Sequence, residues 1–236
     1  MIARQRFTTC AAVTLFVVTA AALRAGEITG FSWSSGVASV AGAVISPPSS
    51  PNNDDVPGTS PNDILVTQKN YVAIGPVDLV FDVRDTGGVT EYLVTEGVSN
   101  STGLDWGSYH IELGFGIGGG FVKSTAGDGL DFDAPDFNSD FFFDPFPSVF
   151  PTVSVAEDDI FAGGGVLPNF AFAGYFLLHV DVPDGITSFT IRQSPVAVPE
   201  PSSLALACLG LVGIFGYWRR RTRRQSASSR PNRPSK

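Results

Sequence analysis

The sequence predicts an all-β protein, an antiparallel β-sandwich or jelly-roll-like single domain with an N-terminal signal helix and a C-terminal transmembrane helix. Three observations predict this class. Glycine (26) and proline (17) are frequent among the 236 residues, as is typical of turn-rich chains. Hydrophobic residues make up 43% of the chain and charged residues 16%, which is enough apolar material for a core. Several segments also alternate apolar and polar residues with a period of two, which indicates half-buried strands.

The alternation is clearest in three segments, at residues 77–84, 109–115 and 176–182. Further strands are predicted at 28–33, 37–45, 64–67, 89–96, 152–155 and 188–193. Turn-forming residues separate the strands at 85–88, 100–103 and 183–185. No segment between the two ends of the chain has the 3.6-residue period of an amphipathic helix. Many short strands joined by turns favour a sandwich.

Composition divides the chain into four parts. Residues 1–25 are predicted to be a signal peptide, and residues 26–197 the exported β domain. Within that domain the proline-rich segment 46–63 is expected to be a loop, because proline cannot donate a ladder hydrogen bond. Residues 198–224 form a C-terminal signal, and residues 225–236 are polar, basic and expected to be disordered.

The N-terminal segment has the three parts of a secretory signal. Arg4 and Arg6 form a positive start, residues 7–23 are uncharged and largely apolar, and the small residues Ala25 and Gly26 follow. Cleavage after Ala25 or slightly earlier would release the domain. An uncleaved N-terminal membrane anchor is the alternative.

The C-terminal segment combines a short motif, an apolar helix and a basic cluster. Residues 199–201 read Pro-Glu-Pro, and residues 202–218 carry no charge, which is about the shortest length that spans a bilayer. Positive charges next to a membrane helix remain in the cytoplasm, so the domain is expected on the opposite side. The predicted cytoplasmic anchor consists of Arg219, Arg220, Arg221, Arg223 and Arg224.

This arrangement resembles the PEP-CTERM protein-sorting signal, a tail that has also been labelled an ice-binding protein C-terminal domain. Pro199, Glu200 and Pro201 match its sorting motif, and the helix and arginines complete it. The resemblance implies export, a transient single-pass stage in the inner membrane, and processing by an exosortase-like membrane protease. It also implies an association with biofilm or exopolysaccharide. An ordinary single-pass anchor is the alternative.

Charge excludes one class of partner. Residues 26–198 contain 22 acidic and four basic residues, and such an acidic surface repels the phosphates of nucleic acids. Both cysteines, Cys10 and Cys208, lie in the terminal segments, so the domain itself has no disulfide.

Catalytic motifs are scarce. His110 and Glu112 share one face of a predicted strand and could pair a base with a carboxylate, but no nucleophile motif accompanies them. A surface pair without catalytic function is the alternative. His179 lies in another strand, and two histidines without cysteine make a zinc site of the histidine-rich kind impossible. We therefore expect a protein that is not an enzyme and needs no cofactor.

Segment 127–147 interleaves aspartates with phenylalanines. Asp128, Asp131 and Asp133 offer oxygen ligands at the short spacing that calcium accepts, although the spacing is not that of an EF-hand. Aromatic rings beside carboxylates are also typical of carbohydrate sites. The alternative is a loop whose phenylalanines cap the core.

These observations favour an exported cell-surface or extracellular-matrix protein with a structural or adhesive role in a biofilm or exopolysaccharide matrix. The alternative is a calcium- or carbohydrate-binding surface module that uses segment 127–147 and takes matrix polysaccharide as its partner.

Overall fold

A computed structural model describes residues 25–34, 36–53, 62–132 and 149–199, together with Leu211. The predicted signal peptide up to residue 24, the helix at 202–218 apart from Leu211, and the basic tail at 225–236 lie outside these residues. In the part that is described, no helix has the length and apolar character needed to cross a bilayer.

The described chain is built almost entirely from strands, as the sequence predicts. A 3-10 turn at Gly118–Gly120 follows the seventh strand. The strands are β1 (Ala25–Trp33), β2 (Ala38–Val40), β3 (Ala43–Ile45), β4 (Asn62–Tyr71), β5 (Val77–Gly87), β6 (Thr90–Asn100), β7 (Trp106–Phe115), β8 (Val122–Lys123), β9 (Asp131–Phe132), β10 (Thr152–Ala156), β11 (Asp159–Leu167), β12 (Phe172–Val182) and β13 (Ser188–Ala197).

The strands form two sheets. The first has seven strands in the order β1-β5-β13-β7-β11-β10, with β8 paired to β7. The second has six strands in the order β2-β4-β6-β12-β9, with β3 paired to β4. The prediction of purely antiparallel pairing is wrong at one place, because β4 and β6 pair in parallel. Between them the chain passes through β5 in the other sheet, so β6 returns in the direction of β4.

The buried faces of both sheets contribute to one hydrophobic cluster. Across the interface, the ring centroid of Tyr109 on β7 lies 4.9 Å from that of Phe176 on β12. The predicted alternation is confirmed, because the inward apolar positions of the three clearest segments are buried, apart from the partly buried Phe115 at the end of β7. Those with a relative exposure of 1% or less include Val77, Leu79, Phe81, Tyr109, Ile111, Leu113, Phe176, Leu178 and Val180.

Strand β11 is absent from the sequence prediction. Its glycines at 163–165 leave no side chains to show a period of two. The structure requires glycine there, since Gly164 has a φ of 81° and a Cβ at Gly165 would collide with the main-chain oxygen of Val149. The predicted strand 37–45 is instead divided into β2 and β3 at Gly42, whose φ is 138°.

Strand β13 lies in the middle of the first sheet, between β5 and β7. Its pairing with β5 ends at Gln193, and beyond that residue it pairs only with β7. Pro195 is therefore tolerated, because no neighbour on the β5 side needs its missing N–H. The chain leaves the fold directly from this strand.

Candidate functional site

The predicted sorting motif begins where the fold ends. Strand β13 stops at Ala197, and the Val198 N–H donates to the Asp105 carbonyl oxygen at 2.8 Å. Pro199 is exposed, whereas Glu200, Pro201 and the arginines of the predicted anchor lie outside the described residues. Pro199 has no N–H, so it cannot continue the ladder of the central strand that ends at Ala197.

His110 and Glu112 lie on the outer face of β7, as predicted, but the hydrogen-bond partner of His110 comes from β11. The His110 Nε2 atom lies 2.8 Å from Asp159 Oδ1. Ligand atoms of His110, Glu112 and Asp159 all lie within 4.8 Å of one another, so this group could hold a divalent cation. The Lys123 ammonium already neutralises part of the negative charge of this group, because its Nζ atom lies 2.6 Å from Asp159 Oδ2.

The electrostatics of this surface group favour an ion-pair network. Partial burial acts to raise the pKa of Asp159, but hydrogen bonds from Lys123 and His110 outweigh it and lower the pKa. Partial burial acts to lower the pKa of Lys123, but the hydrogen bond to Asp159 outweighs it and raises the pKa. A carboxylate held by an ammonium and an imidazole is a stable surface arrangement, and the described residues place no activated nucleophile beside it.

The candidate calcium ligands do not converge in the described part of the chain. Asp128 closes its own turn: its Oδ1 accepts from the Ser124 hydroxyl at 2.6 Å and the Leu130 N–H at 3.1 Å. Its Oδ2 accepts from the Thr125 N–H at 3.0 Å. Asp131 lies on β9, and Asp133, like most of segment 127–147, lies outside the described residues. Calcium binding there stays a prediction.

The outer face of the second sheet carries a groove of about 240 Å³ bordered by aromatic rings. Phe172 and Tyr175 are 50% and 59% exposed, and their ring centroids lie 5.6 Å apart. A bulge between Phe172 and Gly174 places both rings on the same face. Gly97 lies beside both rings, since a Cβ there would lie 3.4 Å from the Phe172 ring and 3.5 Å from the Tyr175 ring.

A buried polar cluster lies between the two sheets; we call it the buried lysine cluster. It consists of Lys69, Tyr71, Glu96, Tyr109 and Gln193, all with a relative exposure of 0%. Lys69 Nζ donates to Glu96 Oε2 at 2.9 Å and also contacts Gln193 Oε1. The Tyr109 hydroxyl donates to Gln193 Oε1 at 2.8 Å, and the Tyr71 hydroxyl donates to the Gln193 main-chain oxygen at 3.1 Å.

Sequence analysis missed the buried lysine cluster, although two of its members show a signal. Buried residues at 92 and 94 on β6 are followed at the next inward position by Glu96, and residues 189 and 191 on β13 are followed by Gln193. Continuing each two-residue alternation by one more inward position predicts that Glu96 and Gln193 are buried between the sheets. Lys69 has no such signal, because a register shift between Val66 and Lys69 changes which residues of β4 point inward.

Comparison with known proteins bears on the C-terminal segment. Residues 197–221 match the family profile described as the PEP-CTERM protein-sorting motif. No curated protein and no solved structure matches the chain. The match starts at the last residue of β13, includes the Pro-Glu-Pro at 199–201 and extends to Arg221. The chain therefore carries a PEP-CTERM protein-sorting motif directly after its β domain.

Proposed function

We propose that this chain is an exported, non-enzymatic structural component of the cell surface or extracellular matrix, delivered by exosortase processing of its C-terminal tail. The supporting observation is the PEP-CTERM motif at 197–221, a sorting signal of exported proteins. The signal peptide at 1–25 starts export, and the helix at 202–218 holds the domain at the inner membrane until the tail is removed. The two facing sheets, as a β-sandwich, are the delivered cargo.

The position of the motif supports this order of events. Strand β13 is central in its sheet and ends at Ala197. Only Val198 lies between this strand and the exposed Pro199. A protease in the membrane plane could therefore reach the motif only when the domain lies close to the bilayer surface. The acidic domain, with 22 acidic residues against four basic ones between 26 and 198, would then be released as a soluble, self-repelling unit.

The test is to express the full chain in a host with an exosortase and in the same host without it, and to read both termini by mass spectrometry. We expect a product that ends near residues 199–201 only when the exosortase is present. Simultaneous Pro199→Ala, Glu200→Ala and Pro201→Ala replacement should leave the tail attached, whereas Pro183→Ala, in a turn of the domain, should not. A product that retains residues 219–236 in the presence of a working exosortase would contradict the proposal.

A second candidate function is binding of matrix polysaccharide at the groove of the second sheet. The observation that favours it is the exposed pair Phe172 and Tyr175 on either side of Gly97, since sugars stack their apolar faces on such rings. Gln68 and Thr67 on the groove wall offer hydrogen-bonding groups. This site lies outside the aspartate- and phenylalanine-rich segment that the sequence suggested.

Affinity electrophoresis in gels containing the exopolysaccharide of the host would test this second function. Tyr175→Ala should abolish retardation, because it removes one of the two stacking surfaces. Phe161→Ala, which removes an exposed ring from the other sheet, is the matched control and should leave retardation unchanged. Equal mobility of the native protein with and without polysaccharide would eliminate this function.

A further inference from the structure

The buried lysine cluster brings an amine and a carboxamide together in the core. Lys69 lies on β4 of the second sheet, and Gln193 lies 124 residues further along the chain on β13 of the first sheet. Lys69 Nζ contacts the side-chain oxygen of Gln193, and both side chains are fully buried. Glu96 and the Gln193 oxygen are thus the two acceptors that face this amine, in a core where a buried charge costs several kcal/mol.

The environment of Lys69 favours its neutral, nucleophilic form. Burial lowers the pKa of the Lys69 ammonium, and the nearby Glu96 carboxylate only partly opposes this. Glu96 is itself fully buried, and its Oε2 atom lies 2.9 Å from Nζ, so a carboxylate able to accept a proton is in direct contact with the amine. The neutral amine is the form of lysine that attacks carbonyl carbon.

Two polar atoms of the cluster remain without partners. Among the described residues, neither Glu96 Oε1 nor Gln193 Nε2 has a hydrogen-bond partner, although both atoms are buried. Such atoms are rare in folded proteins, and a chemical role is one of the explanations for them. A proton acceptor and an amide nitrogen that could leave are the two groups that an amide-exchange reaction requires.

We propose that Lys69 and Gln193 are joined by an intramolecular isopeptide bond that forms after folding, with Glu96 as the proton carrier. Lys69 Nζ attacks Gln193 Cδ, and a new C–N bond forms as the amide C=O becomes an oxyanion. Glu96 takes one proton from the Nζ ammonium before the attack, passes it to Nε2 after the attack, and then takes the second proton from Nζ. The Cδ–Nε2 bond then breaks and ammonia leaves, so that one amine and one primary amide become one secondary amide and ammonia.

The tyrosines stabilise the transient oxyanion. The Tyr109 hydroxyl donates to Gln193 Oε1 at 2.8 Å, which is the oxygen that gains negative charge. The Tyr71 hydroxyl lies 3.0 Å from that of Tyr109, next to the same side chain. Burial raises the pKa of both tyrosines well above the usual value, so each hydroxyl keeps its proton for donation.

The cross-link would lie where mechanical load enters the domain. Gln193 is four residues before Ala197, the end of the strand that leads into the sorting motif. A chain held or pulled at its C-terminus would transmit force to β13, and a covalent bond to β4 would tie that strand to the opposite sheet. The domain from 26 to 197 contains no cysteine, so a disulfide could not do this.

Peptide mass spectrometry of the full chain, purified after export and digested with trypsin in denaturant, tests the proposal. We expect a branched peptide in which a fragment ending at Arg84 is joined to the fragment that begins at Gln193, one ammonia lighter than the two together. Trypsin requires a free lysine side chain, so cleavage after Lys69 should be lost. Recovery of the linear peptide 70–84 in equal amount to other tryptic peptides would overturn the proposal.

Substitutions test the roles of Lys69 and Glu96 separately. Lys69→Met and Glu96→Gln should both abolish the branched peptide, since one removes the nucleophile and the other the proton carrier. Lys123→Met, which removes a partly exposed lysine, is the matched control and should retain it. A branched peptide in Glu96→Gln would overturn the assignment of Glu96. If either variant fails to fold, the digest of the unmodified chain still decides the outcome.

Discussion

Asn100 is expected to hold together the end of the molecule where β6 turns into β7. Its side-chain amide donates to the main-chain oxygens of Leu104 at 2.8 Å, Leu167 at 3.2 Å and Pro168 at 3.2 Å. Its side-chain oxygen accepts from the N–H of Thr102 at 3.0 Å and from the Thr102 hydroxyl at 2.8 Å. One fully buried side chain thus joins two turns that are distant in sequence.

The cost of removing this side chain follows from its hydrogen bonds. Asn100→Ala loses all five, but the partners nearer the surface regain water, so we expect a loss of about 2–4 kcal/mol in the free energy of unfolding. Asn100→Asp keeps the shape but turns a carboxylate oxygen towards three carbonyl oxygens. We expect it to cost about 2 kcal/mol more than the alanine variant at neutral pH, because the carboxylate oxygen in the place of the amide nitrogen is buried against carbonyl oxygens, whereas the other oxygen keeps the Thr102 donors.

The aspartate variant should also differ in its pH dependence. Burial beside carbonyl oxygens raises the pKa of the introduced carboxyl in the folded state above its unfolded value of about 3.9. The extra penalty is therefore fully present above the folded pKa and is lost as the pH falls through that pKa, when the carboxylic acid can donate. The alanine variant has no such group and should show the same penalty across this range.

Urea unfolding followed by Trp106 fluorescence measures these effects, because the Trp106 indole N–H donates to Thr102 at 3.0 Å and so reports on this turn. Asn70→Ala is the matched control, since its side chain accepts a single hydrogen bond from Ser101 at 2.8 Å, and it should cost about 1 kcal/mol or less. Equal stability of Asn100→Asp and Asn100→Ala at every pH would refute the reasoning.

Three further predictions concern the other sites. Gly165→Ala should destabilise the fold by about 2–3 kcal/mol in urea unfolding, while Gly119→Ala, which has open space around it, should change it little. Asp128→Ala should cost about 1–2 kcal/mol by the same assay, equally with and without added calcium; a larger cost only with calcium would instead support the calcium site. Lys123→Met should raise the depressed pKa of Asp159, measurable by NMR titration. Its stability loss, about 0.5 kcal/mol at neutral pH, should vanish in acid, where Asp159 is protonated in both proteins; an unchanged Asp159 pKa would contradict this.

Alternation predicted the faces of the strands wherever side chains were present to show it. The inward positions 77, 79, 81, 109, 111 and 113 are all buried. The same logic fails at β11, whose glycines show no alternation, and on β4, where the register shift before Lys69 reverses the inward and outward positions. A bulge is a property of the pairing between two strands, so neither strand shows it alone.

For the candidate sites, too, the sequence places some residues, whereas strand pairing decides which partners they meet. His110 and Glu112 could be placed on one face from the sequence, but Asp159 comes from the unpredicted strand and is what His110 contacts. The exposed rings of Phe172 and Tyr175 share a face only because of a bulge, and Gly97, which pairs opposite Tyr175, adds no side chain to the groove that they border. Pairing partners on other strands decide these surfaces.

The sequence by itself determined the sorting motif of this protein and the class of its fold. The sorting motif is recognised as a linear segment, and strand faces follow from a two-residue period, so both are local in the chain. Only the tertiary structure decided that β4 and β6 run in parallel and that Lys69, Glu96 and Gln193 meet. These residues lie far apart in the chain, and the physical reason they meet is that the two sheets pack face to face and bury apolar side chains from both.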